Sequence, residues 1–129
     1  MAYHFSKILQ HTFENTVEKV KEALKNEGFG VVSEIDIKKT FKEKLDVNFT
    51  NYLILGACNP NYALKAISAE NKIGTMLPCN VVVQELPDGK IEVSAVDPMA
   101  SMMAVQNNKL GEVASEVQLK LKKVIENLK

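Results

Sequence analysis

The chain has 129 residues, 46% of them hydrophobic and 25% charged, as is typical of a single soluble domain, residues 1–129, with one core. Its 16 basic and 16 acidic residues give a formal net charge of zero, so it lacks the positive field that attracts nucleic acid or anionic lipid. A neutral chain also opposes self-association only weakly, and we therefore expect a homodimer.

The first third of the chain predicts a strand, a helix and a second strand. Residues 2–9 predict the first strand. Thr12 suits the N-cap of the helix that follows, and Gly28 suits the position just after it, because glycine adopts positive φ at little cost. Residues 30–37 alternate as a strand does, with one face formed by Val31, Ser33, Ile35 and Ile37 and the other by Val32, Glu34 and Asp36.

The middle of the chain predicts a short helix, a central strand and a further helix. Residues 49–57 are apolar on both faces, which indicates a strand buried inside a sheet. Asn59 and Pro60 are typical of a helix start, because asparagine caps and proline fits the first helical position. We expect that helix to run to about residue 69 and to bury Ala63, Ala66 and Ile67.

The last third predicts a hairpin followed by helices. Strands over residues 79–86 and 90–96 flank an Asp-Gly turn, which is a strong hairpin signal. Asp97 and Pro98 repeat the cap-then-proline pattern before a short helix. Residues 109–128 carry an apolar stripe at helical spacing and predict a helix roughly 30 Å long.

This order of elements indicates an α+β fold in which helices gather on one face of an antiparallel sheet. The sequence has neither a Gly-rich dinucleotide-binding turn nor a phosphate-binding loop. It has no apolar run of the roughly 20 residues needed to span a bilayer, and its N-terminal segment does not resemble a signal peptide. We therefore expect a cytoplasmic protein that does not associate with membranes.

Cys58 and Cys79, the only cysteines, are each followed by an asparagine, and we call these the Cys-Asn corners. In a reducing cytoplasm they are expected to be thiols, ligands or core residues rather than a disulfide. Cys58 precedes a helix N-terminus, where a thiolate is favoured, but a small buried residue would also suit that turn. Asn59 is expected to be mainly a helix cap, whereas Asn80 could bind a ligand or satisfy buried backbone.

Other residues offer weaker candidates for chemistry. Both cysteines, with Asp97 or a histidine, could form a soft-metal site, but they lack the close spacing of closed zinc sites. Glu34 and Asp36 lie on one strand face and could act as an acid/base pair if burial raised one pKa. His4 and His11 are expected to be ordinary strand or surface residues.

Four motifs in this order resemble the domain-of-unknown-function family numbered 302: GFGVVSEIDIK at residues 28–38, LGACNPNYA at 55–63, LPCNVVV at 77–83 and VSAVDPM at 93–99. The resemblance covers nearly the whole chain. It implies an α+β fold with a curved antiparallel sheet and a long C-terminal helix, related to the strand, helix, four strands, helix arrangement of the TATA-binding protein. It implies no activity and specifies no cofactor. It directs attention to motif residues that include Glu34, Asp36, Cys58, Asn59, Cys79, Asn80 and Asp97.

Three functions are compatible with these residues. The first is a ligand-binding or interaction module that holds a small molecule at the Cys-Asn corners. The second is a thiol-dependent redox or metal-handling protein that uses Cys58 and Cys79. The third is an acid/base enzyme that uses Glu34, Asp36 and Asp97. The first is favoured, because the sequence shows no complete catalytic set.

Overall fold

The computed structural model describes residues 2–129, which form five strands, five α-helices and one 3-10 turn. The strands are β1 (His4–Leu9), β2 (Gly30–Asp36), β3 (Tyr52–Cys58), β4 (Cys79–Glu85) and β5 (Ile91–Val96). The helices are α1 (Phe13–Asn26), α2 (Ile37–Leu45), α3 (Pro60–Ala69), α4 (Pro98–Ser101) and α5 (Asn108–Glu126), and the 3-10 turn is Ile73–Met76.

The five strands form one antiparallel sheet in the order β1-β5-β4-β3-β2. Leu55, Val81 and Ala95 lie in one row across its central strands and are fully buried. They belong to a core cluster shared with α1 and α5, so these helices cover that face of the sheet. We call it the helix face and the other the open face. The predicted α+β class and the long C-terminal helix are confirmed.

Several predicted helix ends and turns are present. The Thr12 hydroxyl accepts a hydrogen bond from the Asn15 amide at 3.1 Å and caps α1. Gly28, just beyond α1, has φ 85°, and Gly89, in the β4–β5 turn, has φ 86°. Both lie in the left-handed region that glycine adopts readily. These turns were predictable because each depends on residues adjacent in sequence.

The predicted course of β2 was wrong in two respects. The strand ends at Asp36, whose side chain accepts from the Lys39 amide at 3.0 Å and so begins α2 at Ile37. A bulge also interrupts the pairing with β3 between Val31 and Ser33. Because a bulge inserts one extra residue, it moves the residues beyond it to the other face. Val31 therefore shares the helix face with Glu34 rather than with Ser33.

The buried face of α3 is narrower than predicted. Ala66 is buried, but Ala63 is only half-buried and Ile67 is 44% exposed, so the prediction for Ile67 was wrong. The reason is that α3 lies beyond the end of the sheet and packs mainly against α5, so only the side of α3 that contacts α5 is buried.

The buried residues form two clusters. The larger fills the space between the sheet, α1 and α5. The smaller lies where α3, the 3-10 turn, α4 and the start of α5 meet, and its members are Ala66, Ile73, Met102, Leu110 and Ala114. The boundary between these clusters lies beside the ends of β3 and β4 that carry the two cysteines.

Candidate functional site

A cavity of about 310 Å³ lies at the boundary between the two core clusters. Phe29, Ala57, Cys79 and Val117 of the larger cluster contribute to its wall, as do Ala66, Met102, Leu110 and Ala114 of the smaller. Its volume lies at the lower end of the range typical of small-molecule sites, about 300–1,000 Å³. The lining is almost entirely apolar, so we expect the part of a ligand that lies there to be apolar.

Small side chains leave this space open. Ala63 and Ala66 of α3 and Ala114 of α5 line the cavity, together with Ala57 of β3. Larger residues at these positions would bring the two helices and the sheet into direct contact, as native cores normally do. The sequence predicted that Ala63 and Ala66 are buried, but not that they border an open space, and facing alanines on two predicted helices are the signal that could have indicated it.

Both cysteines contribute to the wall of this cavity. Cys79, the first residue of β4, pairs with Ala57, which directly precedes Cys58 at the end of β3. The two thiols therefore lie at the same end of neighbouring strands. Both are free, with Cys79 buried and Cys58 partly exposed. The structure thus brings the two cysteines of the Cys-Asn corners to one cavity.

The environment of Cys79 makes its thiol unreactive. Burial, and secondarily the charge of a Cys58 thiolate, raise the pKa of Cys79 from 9.0 to about 11. The thiolate is the nucleophile and the metal-binding form, so Cys79 is present as a neutral thiol at physiological pH. It therefore behaves as a small apolar wall residue there.

Asn59 lines the cavity and occupies the N-cap position of α3, as predicted, but the expected capping hydrogen bond of its side chain is absent. Its side chain makes no hydrogen bond to the N-terminal amides of α3. Its Nδ2 donates instead to the carbonyl of Glu27 at 3.5 Å. The local sequence pattern at the helix start could not predict this contact, because Glu27 lies 32 residues earlier in the chain. Asn59 thus links the end of α1 to the start of α3.

Asn80 lies apart from the cavity. It follows Cys79 in β4, and because neighbouring strand residues point to opposite faces, its exposed side chain lies on the open face. It borders a shallow depression of about 300 Å³ there, together with Tyr52, Gln84 and Glu92. The second Cys-Asn corner is therefore divided between the two faces of the sheet.

The three candidate carboxylates do not share a site. Glu34 is exposed and its Oε2 lies 3.2 Å from Nζ of Lys21, while Asp36 caps α2. Asp97 caps α4 by accepting from the Met99 amide at 3.0 Å. Asp97 follows β5, three strands away from β2, which corresponds to about 14 Å at normal strand spacing. Each carboxylate has a structural partner of its own.

A row of polar side chains on the open face was not expected from the sequence. His4 Nδ1 lies 2.7 Å from Oγ of Ser6, which lies 2.7 Å from Oγ of Ser94. Ser6 and Ser94 are paired across β1 and β5, so strand register explains the contact. This row is exposed to solvent, which competes for the same hydrogen bonds. It therefore offers an apolar ligand a weaker binding environment than the apolar wall of the cavity does.

The family described as "Domain of unknown function DUF302" matches residues 5–128. The chain belongs to the DUF302 family. Among solved structures, it is similar to the crystal structure of an uncharacterised conserved DUF302 protein from Bacillus stearothermophilus. The two chains share 25% sequence identity, each is covered over 100% of its length, and the TM-score is 0.92. No curated protein matches the sequence.

This DUF302 chain presents two further findings that concern metals and membranes. Within residues 2–129, no three His, Cys, Asp or Glu side chains gather closely enough to hold a metal ion. Over the same residues, none of the helices combines the length and apolar character needed to cross a bilayer.

Proposed function

We propose that this DUF302 protein binds a small apolar ligand in the cavity beside Cys58 and Cys79. The observation that carries the proposal is the cavity itself, about 310 Å³ of space with an almost entirely apolar wall inside a small domain. The space is open to solvent on one side, and its volume and apolar lining are those of a small-molecule cleft.

The energetics favour an apolar occupant. Moving a methylene group from water into an apolar environment contributes about 0.8 kcal/mol. A polar group placed there would lose its hydrogen bonds to water, at a cost of about 1–3 kcal/mol. Asn59 supplies an amide at the wall, and its Nδ2 makes only one long hydrogen bond, at 3.5 Å. It could orient one polar group of the ligand.

Titration with a small neutral fluorescent probe such as 1-aminonaphthalene, which is no larger than the cavity, tests the proposal. We expect saturable enhancement for the native protein and at least about tenfold weaker binding for Ala66→Leu, because the added carbons occupy the space of two or three methylenes. Ser68→Leu is the matched control, since Ser68 is exposed on the same helix and does not line the cavity. Its binding should equal that of the native protein.

Ala63→Leu is a second filling variant for the case in which Ala66→Leu does not fold, because Ala63 is only half-buried. Circular dichroism establishes that each variant is folded before titration. No saturable binding by the native protein would refute the proposal. So would undiminished binding by folded cavity-filling variants.

The other predictions from the sequence stay predictions. Sedimentation equilibrium would test the homodimer. Metal analysis and thiol modification would test thiol-dependent or metal-handling chemistry at Cys58, for which Cys79 is poorly suited at neutral pH because of its raised pKa. The cytoplasmic location and the relationship to the TATA-binding-protein arrangement are likewise predictions. Acid/base catalysis by Glu34, Asp36 and Asp97 receives no support from their separate positions.

A further inference from the structure

An open groove adjoins the apolar cavity. It lies between the end of α1, the start of α3 and the middle of α5, and has a volume of about 670 Å³. Unlike the cavity, it is lined by both polar and apolar groups, among them Asn26, Glu27, Lys65 and Lys120. Polar and apolar binding environments therefore lie side by side.

Two residues belong to both spaces. Asn59 and Tyr62 line the cavity on one side and the groove on the other, and both are only half-buried. Tyr62 is also contacted from the groove side, because Nζ of Lys65 lies 5.5 Å from the centre of its ring. A molecule that extended past these two side chains would have one end in the apolar cavity and the other beside a cation.

The charges of the groove favour an anion. Its lining contains two lysines, Lys65 and Lys120, and one carboxylate, Glu27. Nζ of Lys123 lies 3.9 Å from Oε2 of Glu27 and offsets part of its charge. The groove is therefore positive even though the whole chain is neutral.

We propose that the ligand is a single-chain aliphatic carboxylate whose tail occupies the cavity and whose carboxylate lies in the groove near Lys65 and Lys120. This inference rests on the proposed function, since it assigns the chemical class of the molecule that the cavity holds. The lysines supply charge-assisted hydrogen bonds to the head, and the alanine-rich wall contacts the tail.

The length of the tail follows from the volume. An engineered apolar cavity of about 150 Å³ binds benzene, so about 310 Å³ accommodates about twelve carbon atoms by the same scale. Dodecanoate is thus a suitable probe. Dodecanol and dodecyltrimethylammonium have the same tail with a neutral and a positive head.

The experiment measures how well each of these three compounds displaces the neutral fluorescent probe, at concentrations below micelle formation. For the native protein at low salt, we expect dodecanoate to bind about fivefold more tightly than dodecanol, a magnitude typical of partly exposed ion pairs. Dodecyltrimethylammonium should bind most weakly. Raising the salt from about 0.01 M to about 1 M should remove most of the preference, because the Debye length falls from about 30 Å to about 3 Å.

The double substitution Lys65→Met and Lys120→Met should lower the affinity for dodecanoate to that for dodecanol and leave dodecanol unchanged. Lys90→Met is the control, because Lys90 is exposed beside the β4–β5 turn, at the opposite end of β4 from Cys79. It should keep the full preference. The salt titration of the native protein decides the question independently if the double variant does not fold.

The outcomes separate this inference from the proposed function. If dodecanol and dodecanoate displace the probe equally well, the assignment of the carboxylate is overturned while the cavity remains a ligand site. A preference that persists in the folded double variant or at high salt would also overturn it. If the native protein binds neither the neutral probe nor any of the three compounds, the proposed function itself fails.

Discussion

The side-chain amide of Gln118 donates to both carboxylate oxygens of Asp97, at 3.0 Å to Oδ1 and 3.2 Å to Oδ2. Asp97 lies between β5 and α4, and Gln118 lies in the middle of α5. The contact therefore fixes the end of the hairpin to the longest helix. Pro98 and Val117, the immediate neighbours of these two residues, line the cavity.

Replacing Gln118 should destabilise the protein. Gln118→Leu removes two hydrogen bonds to a partly buried carboxylate, and we expect the free energy of unfolding to fall by about 2 kcal/mol. Urea denaturation measures the change. Gln106→Leu, an exposed substitution in the segment before α5, is the control and should change stability by less than about 0.5 kcal/mol. Equal effects of the two substitutions would contradict a stabilising role for the Asp97 contact.

Gly56 in β3 should not tolerate a side chain. A Cβ atom there would lie 2.6 Å from Cγ of Pro78 and would also collide with Oγ of Ser33. We expect Gly56→Ala to lower the free energy of unfolding by about 2 kcal/mol, as overpacking of a dense region does. Gly30→Ala is the matched control, because a Cβ on this β2 glycine meets nothing within 4 Å. The prediction fails if both variants unfold at the same urea concentration as the native protein.

The buried thiol of Cys79 should make stability depend on alkaline pH. Its pKa is about 11 in the folded protein and 9.0 in an exposed thiol, so the unfolded chain loses this proton first as the pH rises. The contribution is fully present below pH 9 and is lost as the pH rises through 11. The difference between these two pKa values corresponds to a loss of about 3 kcal/mol, of which roughly half occurs by about pH 10.

Comparison of the native protein with Cys79→Ala isolates this effect from the titration of lysines and tyrosines. Urea denaturation at intervals between pH 8 and pH 11 should show a steeper decline for the native protein. Cys58→Ala is the companion variant. Its free energy of unfolding should fall with pH about as steeply as that of the native protein, because Cys58 is only the secondary cause of the raised Cys79 pKa. Parallel curves for all three proteins would show that Cys79 titrates normally.

The candidate carboxylates of β2 should contribute differently to stability. Glu34→Gln removes a partly exposed ion pair with Lys21, and we expect a loss below about 1 kcal/mol. Asp36→Ala removes the side chain that caps α2, with an expected loss of about 1 kcal/mol. Asp36→Ser keeps a capping oxygen and should restore most of that stability. Thermal denaturation of the three variants and the native protein measures these differences in stability. Equal stability of the Ala and Ser variants would contradict the capping role.

The fold was largely predictable because its elements depend on short-range patterns. The alternating residues of β5 and the apolar stripe of α5 identified those elements within a few residues of their observed ends. The β4–β5 hairpin followed from the Asp-Gly turn. The bulge at Val32 was not predictable, because the alternation of β2 continues through it and only pairing with β3 reveals the extra residue.

The candidate site was predictable only in part. The expectation that Cys58 and Cys79 face a common space agrees with their positions, since each ends or begins a neighbouring strand. The space itself depends on Ala66 and Ala114, which lie on two helices 48 residues apart in sequence. Sequence patterns place alanines on helix faces, but they do not give the distance between those helices.

The bulge at Val32 also affects how two molecules of this protein could associate through their sheet edges. β2 is an outer strand, so its free backbone groups could accept a strand from another chain. The extra residue breaks the regular spacing of those groups, and Val32, 65% exposed, stands at the irregular point. A neighbouring chain cannot extend the sheet there with an uninterrupted ladder of hydrogen bonds. The irregular edge therefore disfavours edge-to-edge strand addition at β2.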